Sequence, residues 1–349
     1  MNEPKGVVTK MKKEGKKSKG SNSIFHSKAF TLILVFIALV ILFSIWSRLV
    51  GNNFFKIETF RNILSSLILS AFLTIGAGCL LIGGHIDLSQ AAIGAFGSMV
   101  IATAIKSWAM PWFIAIILGL LLCAAFGALN ATLVSIFRFP SFIATLGMSY
   151  MAKGLMYMFA GMGNANGLTA NVSFSDKVLS FIGAGNIGNV IPFGIIVMVV
   201  FFLAYGILIS RTKFGMRVML LGGNPVAANL AGIRSRKMTY ILFINGAIMG
   251  GIAGMFNAGK LGQGSLLALQ GNQFTGITAA ILGGISFAGG SGGMGGAFIG
   301  LLILNTFSIG MGTVKVNPYW VNVFTGVLLI IALTADYLSQ MRVKKSVNL

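Results

Sequence analysis

The chain has 349 residues and a net charge of +20, yet only 9% of its residues are charged and 56% are hydrophobic. Soluble domains carry about a quarter charged residues, so an ordinary water-soluble enzyme is excluded. Apolar runs near twenty residues recur along the chain, which is the pattern of an all-α, polytopic membrane protein.

Taken in order, the chain opens with a tail, residues 1–28, that holds Lys5, Lys10, Lys12, Lys13, Lys16, Lys17, Lys19 and Lys28. So basic a segment suits an anionic polymer or lipid surface. It equally suits a disordered cytoplasmic extension that fixes orientation, and that reading is preferred, with no nucleic-acid partner. Its charged region is too long for a signal peptide, and no small-residue cleavage site follows the apolar run.

About ten membrane spans are predicted, near 29–49, 63–83, 87–106, 111–135, 141–161, 190–210, 238–258, 267–287, 292–312 and 320–338. They make residues 29–338 one transmembrane domain, followed by a short basic tail, 339–349. Placing both termini in the cytoplasm gives the inside the lysines of the tail, Arg138, the basic loop 211–237 and Arg342, Lys344 and Lys345. The outside then receives fewer, scattered cations, as the positive-inside rule requires. Phe54–Arg61 reads as an interfacial piece, and 162–189 as an outer loop with a short helix near Val178–Ile182. Cys79 and Cys123 lie in apolar runs without metal-ligand spacing and are expected to be inert thiols.

Asp87 and Gln90 open the third span with the spacing of a capping box. Asp87 and Ser89 are thus either a helix cap or a gate or partner contact on the cytoplasmic face, and neighbouring His85 is a candidate for titration near neutral pH. Lys153 stands about 18 Å into its span at 1.5 Å per residue. It either snorkels to the outer surface or lines a water-filled path. Gly246, Gly250 and Gly254, and again Gly292, Gly296 and Gly300, step by four residues, a spacing that lets helix backbones approach closely in lipid.

The run Gly222–Ile233 predicts a short helix over 225–231. Asn224 suits the N-cap and Pro225 the first helical position, and Gly232 suits a left-handed stop. Two turns are not stable alone in water. Arg211, Lys213, Arg217, Arg234, Arg236 and Lys237 surround the helix, so it is a water-side knob that packs either on its own chain or in a partner. Gly290–Gly295 fits G-x-G-x-x-G, but no soluble strand precedes it and no acid follows at the required distance. It reads as a turn between spans. The sequence shows no Walker lysine pattern, no paired carboxylates and no H-E-x-x-H, so no catalytic residues, metal or cofactor are expected.

Several of these runs resemble one family, the membrane-spanning permeases of bacterial ABC importers for simple sugars. The most specific are Phe214-Gly215 and Gly222-Gly223-Asn224-Pro225-x-Ala227-Ala228-x-x-x-Gly232-Ile233. Gly84–Ser89, Pro140–Gly147, Ala279–Gly284 and Ser286–Gly290 support them, and Val316–Trp320 looks like the galactoside branch. The chain departs from the family at His85, at Gln90-Ala91, and at Gln273–Thr275, where acidic residues are usual.

The resemblance implies a coupling helix at 225–231 that docks in an ATPase subunit through Gly223, Asn224, Pro225, Ala227, Ala228, Leu230 and Gly232. It also implies a second permease subunit, an extracytoplasmic sugar-binding protein and a place in the bacterial inner membrane. Asn245, Gln273 and Thr278 are candidates for the path, or for interhelical hydrogen bonds. Two alternatives are a nucleoside importer of related build and a stand-alone secondary transporter. The scarcity of intramembrane acids speaks against the second. A scaffold without transport is a third.

Overall fold

A computed structural model of the chain describes residues 28–163, 171–188 and 191–347. The tail lysines before Lys28 lie outside the described residues. The elements in order are α1 (Lys28–Leu49), α2 (Ile57–Ile82), α3 (Gln90–Ser107), α4 (Trp112–Ser135), α5 (Ser141–Gly163), β1 (Val172–Ser173), α6 (Lys177–Ala184), β2 (Asn186–Ile187) and β3 (Ile191–Pro192). There follow α7 (Phe193–Arg211), α8 (Lys213–Gly223), α9 (Pro225–Leu230), α10 (Ser235–Leu261), β4 (Gln263–Gly264), α11 (Thr275–Leu282), α12 (Met294–Thr313) and α13 (Pro318–Val347). The architecture is an all-α membrane bundle. The two strand pairs, β1 with β4 and β2 with β3, are antiparallel clasps two residues long.

Among the described residues, seven helices are long and apolar enough to cross a membrane: α1, α2, α4, α7, α10, α12 and α13. α3 and α5 are uninterrupted helices of 18 and 23 residues. One expectation fails outright. The predicted span 267–287 is not a continuous helix. Turns fill 266–274, and α11 that follows has only 8 residues. Composition is blind to a backbone break. The short helix expected near Val178–Ile182 is present as α6, with Asp176 Oδ1 capping Leu179 N at 2.8 Å. Within the Phe54–Arg61 stretch, Phe54 is buried against Phe43 of α1, Ile57 opens α2, and Phe55, Ile57 and Phe60 are exposed.

The stepped glycines explain how the helices meet. α10 packs against α2, α3 and α4. A Cβ added at Gly254 would lie 1.9 Å from Gly94 O, and one at Gly250 would lie 2.4 Å from Gln90 O. The backbones of α3 and α10 are therefore in direct contact, which any side chain would prevent. α11 and α12 cross in the same way, with a Cβ at Gly300 falling 2.2 Å from Ala279 O. In lipid, where no hydrophobic force draws helices together, such dispersion contact is what holds them. The core so formed runs from Leu67–Ile82 through Phe243, Phe256 and Ile277–Ile281 to Leu301.

This yields a paired prediction. Gly254→Ala should lower the melting temperature in detergent, at a cost of about 1–3 kcal/mol or more from overpacking. Gly206→Ala, where nothing lies within 4 Å of the new methyl, should be neutral or gain up to about 1 kcal/mol from helix propensity. Equal melting of the two variants would refute backbone contact at Gly254.

Candidate functional site

The short helix forms as its residues dictate. Thr212 Oγ1 accepts from Gly215 N at 3.3 Å and starts α8. Gly215 is required there, because a Cβ would fall 1.9 Å from Ile209 O. α8 ends at Gly223, and Asn224 turns the chain. Its Oδ1 accepts from Ala227 N at 3.0 Å, Pro225 occupies the first helical position, and Gly232 follows with φ +80°. Ser235 Oγ, at the start of α10, donates to Asn229 Oδ1 at 2.6 Å. The helix is one residue shorter than predicted, since Ala231 is its C-cap.

Its faces differ sharply. It packs on α8 and α10, and Ala228 is 2% exposed, whereas Val226 is 69% and Leu230 86% exposed. Two large apolar side chains thus stand in the open on a rigid mount. Beside them lies a groove of about 460 Å³, lined by Met216, Met219, Leu220, Gly223, Asn224 and Ala227.

Directly behind the helix, three backbone segments meet through glycine. A Cβ at Gly222 would fall 2.0 Å from Ile82 O and 2.7 Å from Gly290 N. One at Gly290 would meet Gly223 Cα at 2.6 Å, and one at Gly289 would meet Gly84 Cα at 2.9 Å. Gly290 N donates to Ile82 O at 2.9 Å. The knot joins the end of α2, the end of α8 and the turn between α11 and α12. The G-x-G-x-x-G run is this turn. α13 reaches the same turn through Asp336, whose Oδ2 accepts from Phe287 N at 3.0 Å.

The 83–89 turn is stitched to three further helices. Ile86 N donates to Ser141 Oγ and Leu88 N to Thr145 Oγ1, both at 3.1 Å on α5. Asn130 of α4 donates through Nδ2 to Ser89 Oγ at 2.9 Å, and His85 Nε2 lies 3.3 Å from Thr239 Oγ1 of α10. Asp87 Oδ1 accepts from Ser89 N at 2.7 Å and from Ser89 Oγ at 2.5 Å.

The predicted capping box is therefore absent. Asp87 closes a local side-chain turn instead, and Ser89 is the N-cap residue of α3. Gln90 lies inward, wedged between α2 and α10 where Gly76 and Gly246 leave room. Oriented to satisfy its amide, it donates to Leu73 O at 3.2 Å and accepts from Ala77 N at 3.3 Å. Asp87 and Ser89 are buried, so neither offers a surface to a partner here. Burial pushes the Asp87 carboxyl up to about 6 against the two Ser89 hydrogen bonds. It pushes the His85 imidazole down to about 4. His85 is consequently neutral at physiological pH, contrary to the expectation that it titrates there.

The path candidates do not converge. Asn245 Oδ1 accepts the Tyr205 hydroxyl, an interhelical bond between α7 and α10. Thr278 is fully buried. Gln273 faces a cavity of about 120 Å³, shared with Gln270, Tyr157 and Lys153, and Asn245 faces a separate one of about 220 Å³ with Cys79 and Tyr205. Lys153 Nζ lies 5.7 Å from the Tyr150 ring centroid. Sequence reasoning missed Gln270.

Comparison with known proteins decides what these parts belong to. Residues 59–333 match the family described as "Branched-chain amino acid transport system / permease component". The chain belongs to this permease family. It is 31% identical over 317 residues to the fructose import permease protein FrcC of Rhizobium meliloti, covering 90% of this chain and 86% of that one. It is 30% identical to the ribose import permease protein RbsC of Escherichia coli K12, covering 86% and 92%. It is 30% identical to the D-allose transport system permease protein AlsC of the same strain, covering 95% and 99%. No solved structure matches significantly. The resemblance to sugar-importer permeases read from the motifs is thereby shown, and the chain is a multi-pass protein of the bacterial inner membrane.

The cap can be tested alone. Asn224→Ala should cost about 1 kcal/mol and speed amide exchange over 225–231 roughly fivefold, while Asn224→Asp should leave exchange unchanged. No change in the alanine variant would show that the cap does not hold the helix.

Proposed function

We propose that this permease forms the pathway of an ATP-driven importer for a monosaccharide and receives its driving force through α9. The observation that carries the reading is the pair Val226 and Leu230, exposed on a capped helix whose other face is buried. Apolar side chains so displayed mark a docking surface. A separate ATPase subunit is the partner, with the groove along Met216 and Met219 as the rest of its seat. The glycine knot then hands any displacement of α9 to α2, α11 and α12, because backbones in contact leave no compliant side chain between them.

In this reading ten segments enter the bilayer: α1–α5, α7, α10, α11, α12 and α13. The eighth, α11, enters as a half-helix. Both termini and α9 lie in the cytoplasm, in keeping with the distribution of Lys and Arg. Two permease subunits flank a central path, and a soluble sugar-binding protein docks outside. Affinity that differs between the states of these partners supplies the coupling. The fructose, ribose and allose permeases among its relatives support a monosaccharide cargo.

Leu230→Asp and Val226→Asp should leave expression and melting temperature unchanged while ATP-dependent uptake falls about tenfold or more, as loss of an apolar hot spot does. Ala228→Arg is the wrong probe, because an arginine at that buried site reports on folding. Full uptake by Leu230→Asp, with the ATPase still bound, would contradict the docking role.

A further inference from the structure

On the outer side of the bundle, one face of α2 carries Thr59, Asn62, Ser66 and Ser70 at three- and four-residue spacing. Asn305 and Ser308 of α12 face this stripe. Two cavities lie along it, one of about 440 Å³ near the helix ends and one of about 290 Å³ deeper. Ser308 lines both. Ser70 stands 12 residues before Ile82, which places the floor about 18 Å from the cytoplasmic end of α2. In a hydrocarbon core about 30 Å thick that is near the midplane.

The chemistry of the deeper cavity is narrow. Its polar wall consists of hydroxyls and carboxamides from α2, α12, α13 and the segment before α11, with Lys260 as its single charge. No carboxylate lines either cavity among the described residues. Ser66 Oγ lies 3.0 Å from Asn305 Oδ1, and Asn305 Nδ2 donates to Leu301 O at 3.1 Å, so that pair is satisfied internally. The side chains of Ser70, Asn272, Ser308 and Asn322 make no hydrogen bond among the described residues. Polar groups at this depth are costly in lipid unless water or a ligand meets them. The turns at 266–274 obey the same rule, because irregular backbone is tolerated at membrane depth only in protein or against a cavity.

We propose that this cavity is a transit site for a neutral, polyhydroxylated small molecule, with Ser70, Asn272, Ser308 and Asn322 as its contacts. Each hydroxyl or carboxamide both donates and accepts, matching a ligand whose own groups do both. A cation finds no counter-charge and meets Lys260. The volume lies at the lower end of small-molecule pockets, about 300–1,000 Å³, which suits one sugar ring and not a chain of them. The proposal deepens the import reading and rests on it for the direction of travel, but not for binding.

The test uses single cysteines, Ser308→Cys and Asn322→Cys, in the full chain in intact cells, where native Cys79 and Cys123 are buried. A membrane-impermeant methanethiosulfonate should label both, and should spare Leu121→Cys on the exposed apolar face of α4. A panel of free pentoses and hexoses should contain one that slows labelling about fivefold at about four times its Kd, since mass action then leaves about a fifth of sites open. Potassium glutamate should give no protection. Asn322→Leu in the Ser308→Cys background should keep the labelling and raise the protecting concentration about tenfold, as loss of one ligand hydrogen bond would. Absence of labelling, labelling that no sugar slows, or protection indifferent to Asn322→Leu would each overturn the site. Sugar protection in cells whose fully assembled, ATP-supplied complex shows no uptake of that sugar would overturn the import reading and leave the site standing.

Discussion

Direct contact between backbones, made possible by missing side chains, is the constraint on which the rest of this structure depends. Gly254 against Gly94 and Gly250 against Gln90 bring α10 onto α3, and Gly300 against Ala279 brings α12 onto α11. In a bilayer the lipid is as apolar as leucine, so helices gain little from burying leucine against leucine. Close approach restores the gain by multiplying dispersion contacts. It also makes the joints stiff, since a packed core is bistable and not continuously deformable. The knot of Gly84, Gly222, Gly289 and Gly290 applies the same device directly behind α9.

The end of the bundle away from α9 adds a second feature. There α11 stops after 8 residues, and the chain between Leu261 and Thr275 runs as strand and turns. Such a break frees backbone polar groups that lipid cannot satisfy. The structure places it among hydroxyls and amides, between the cavity that holds Asn272 and Asn322 and the one that holds Lys153 and Gln273.

Much of this was legible in the residues. The spacing of Asn224, Pro225 and Gly232 specified a capped short helix, because caps are local chemistry. The glycine steps of four specified close crossings, because periodicity maps onto one helix face. What stayed hidden were features set by tertiary neighbours. Nothing local to Asp87 and Gln90 says that the glutamine will turn inward to Leu73 and Ala77. Residues 267–287 are apolar enough to suggest a full span, and the break shows only in three dimensions. Asn245 and Thr278 were polar and central, but Tyr205 occupies one and packing encloses the other. The stripe Thr59, Asn62, Ser66, Ser70 was open to view in the sequence. Hydroxyls and one amide in a long apolar run lower its mean hydropathy so little that the face escapes a reading by composition.

The central claim is that force from another polypeptide enters through Leu230 and Val226. The most direct measurement replaces Leu230 with a photo-crosslinking amino acid in the assembled complex and identifies by mass spectrometry what it captures under ultraviolet light. The account predicts cross-links to the ATPase subunit, in a groove whose residues shift with nucleotide state. Cross-links confined to this chain's own helices, in a complex that still imports, would contradict it.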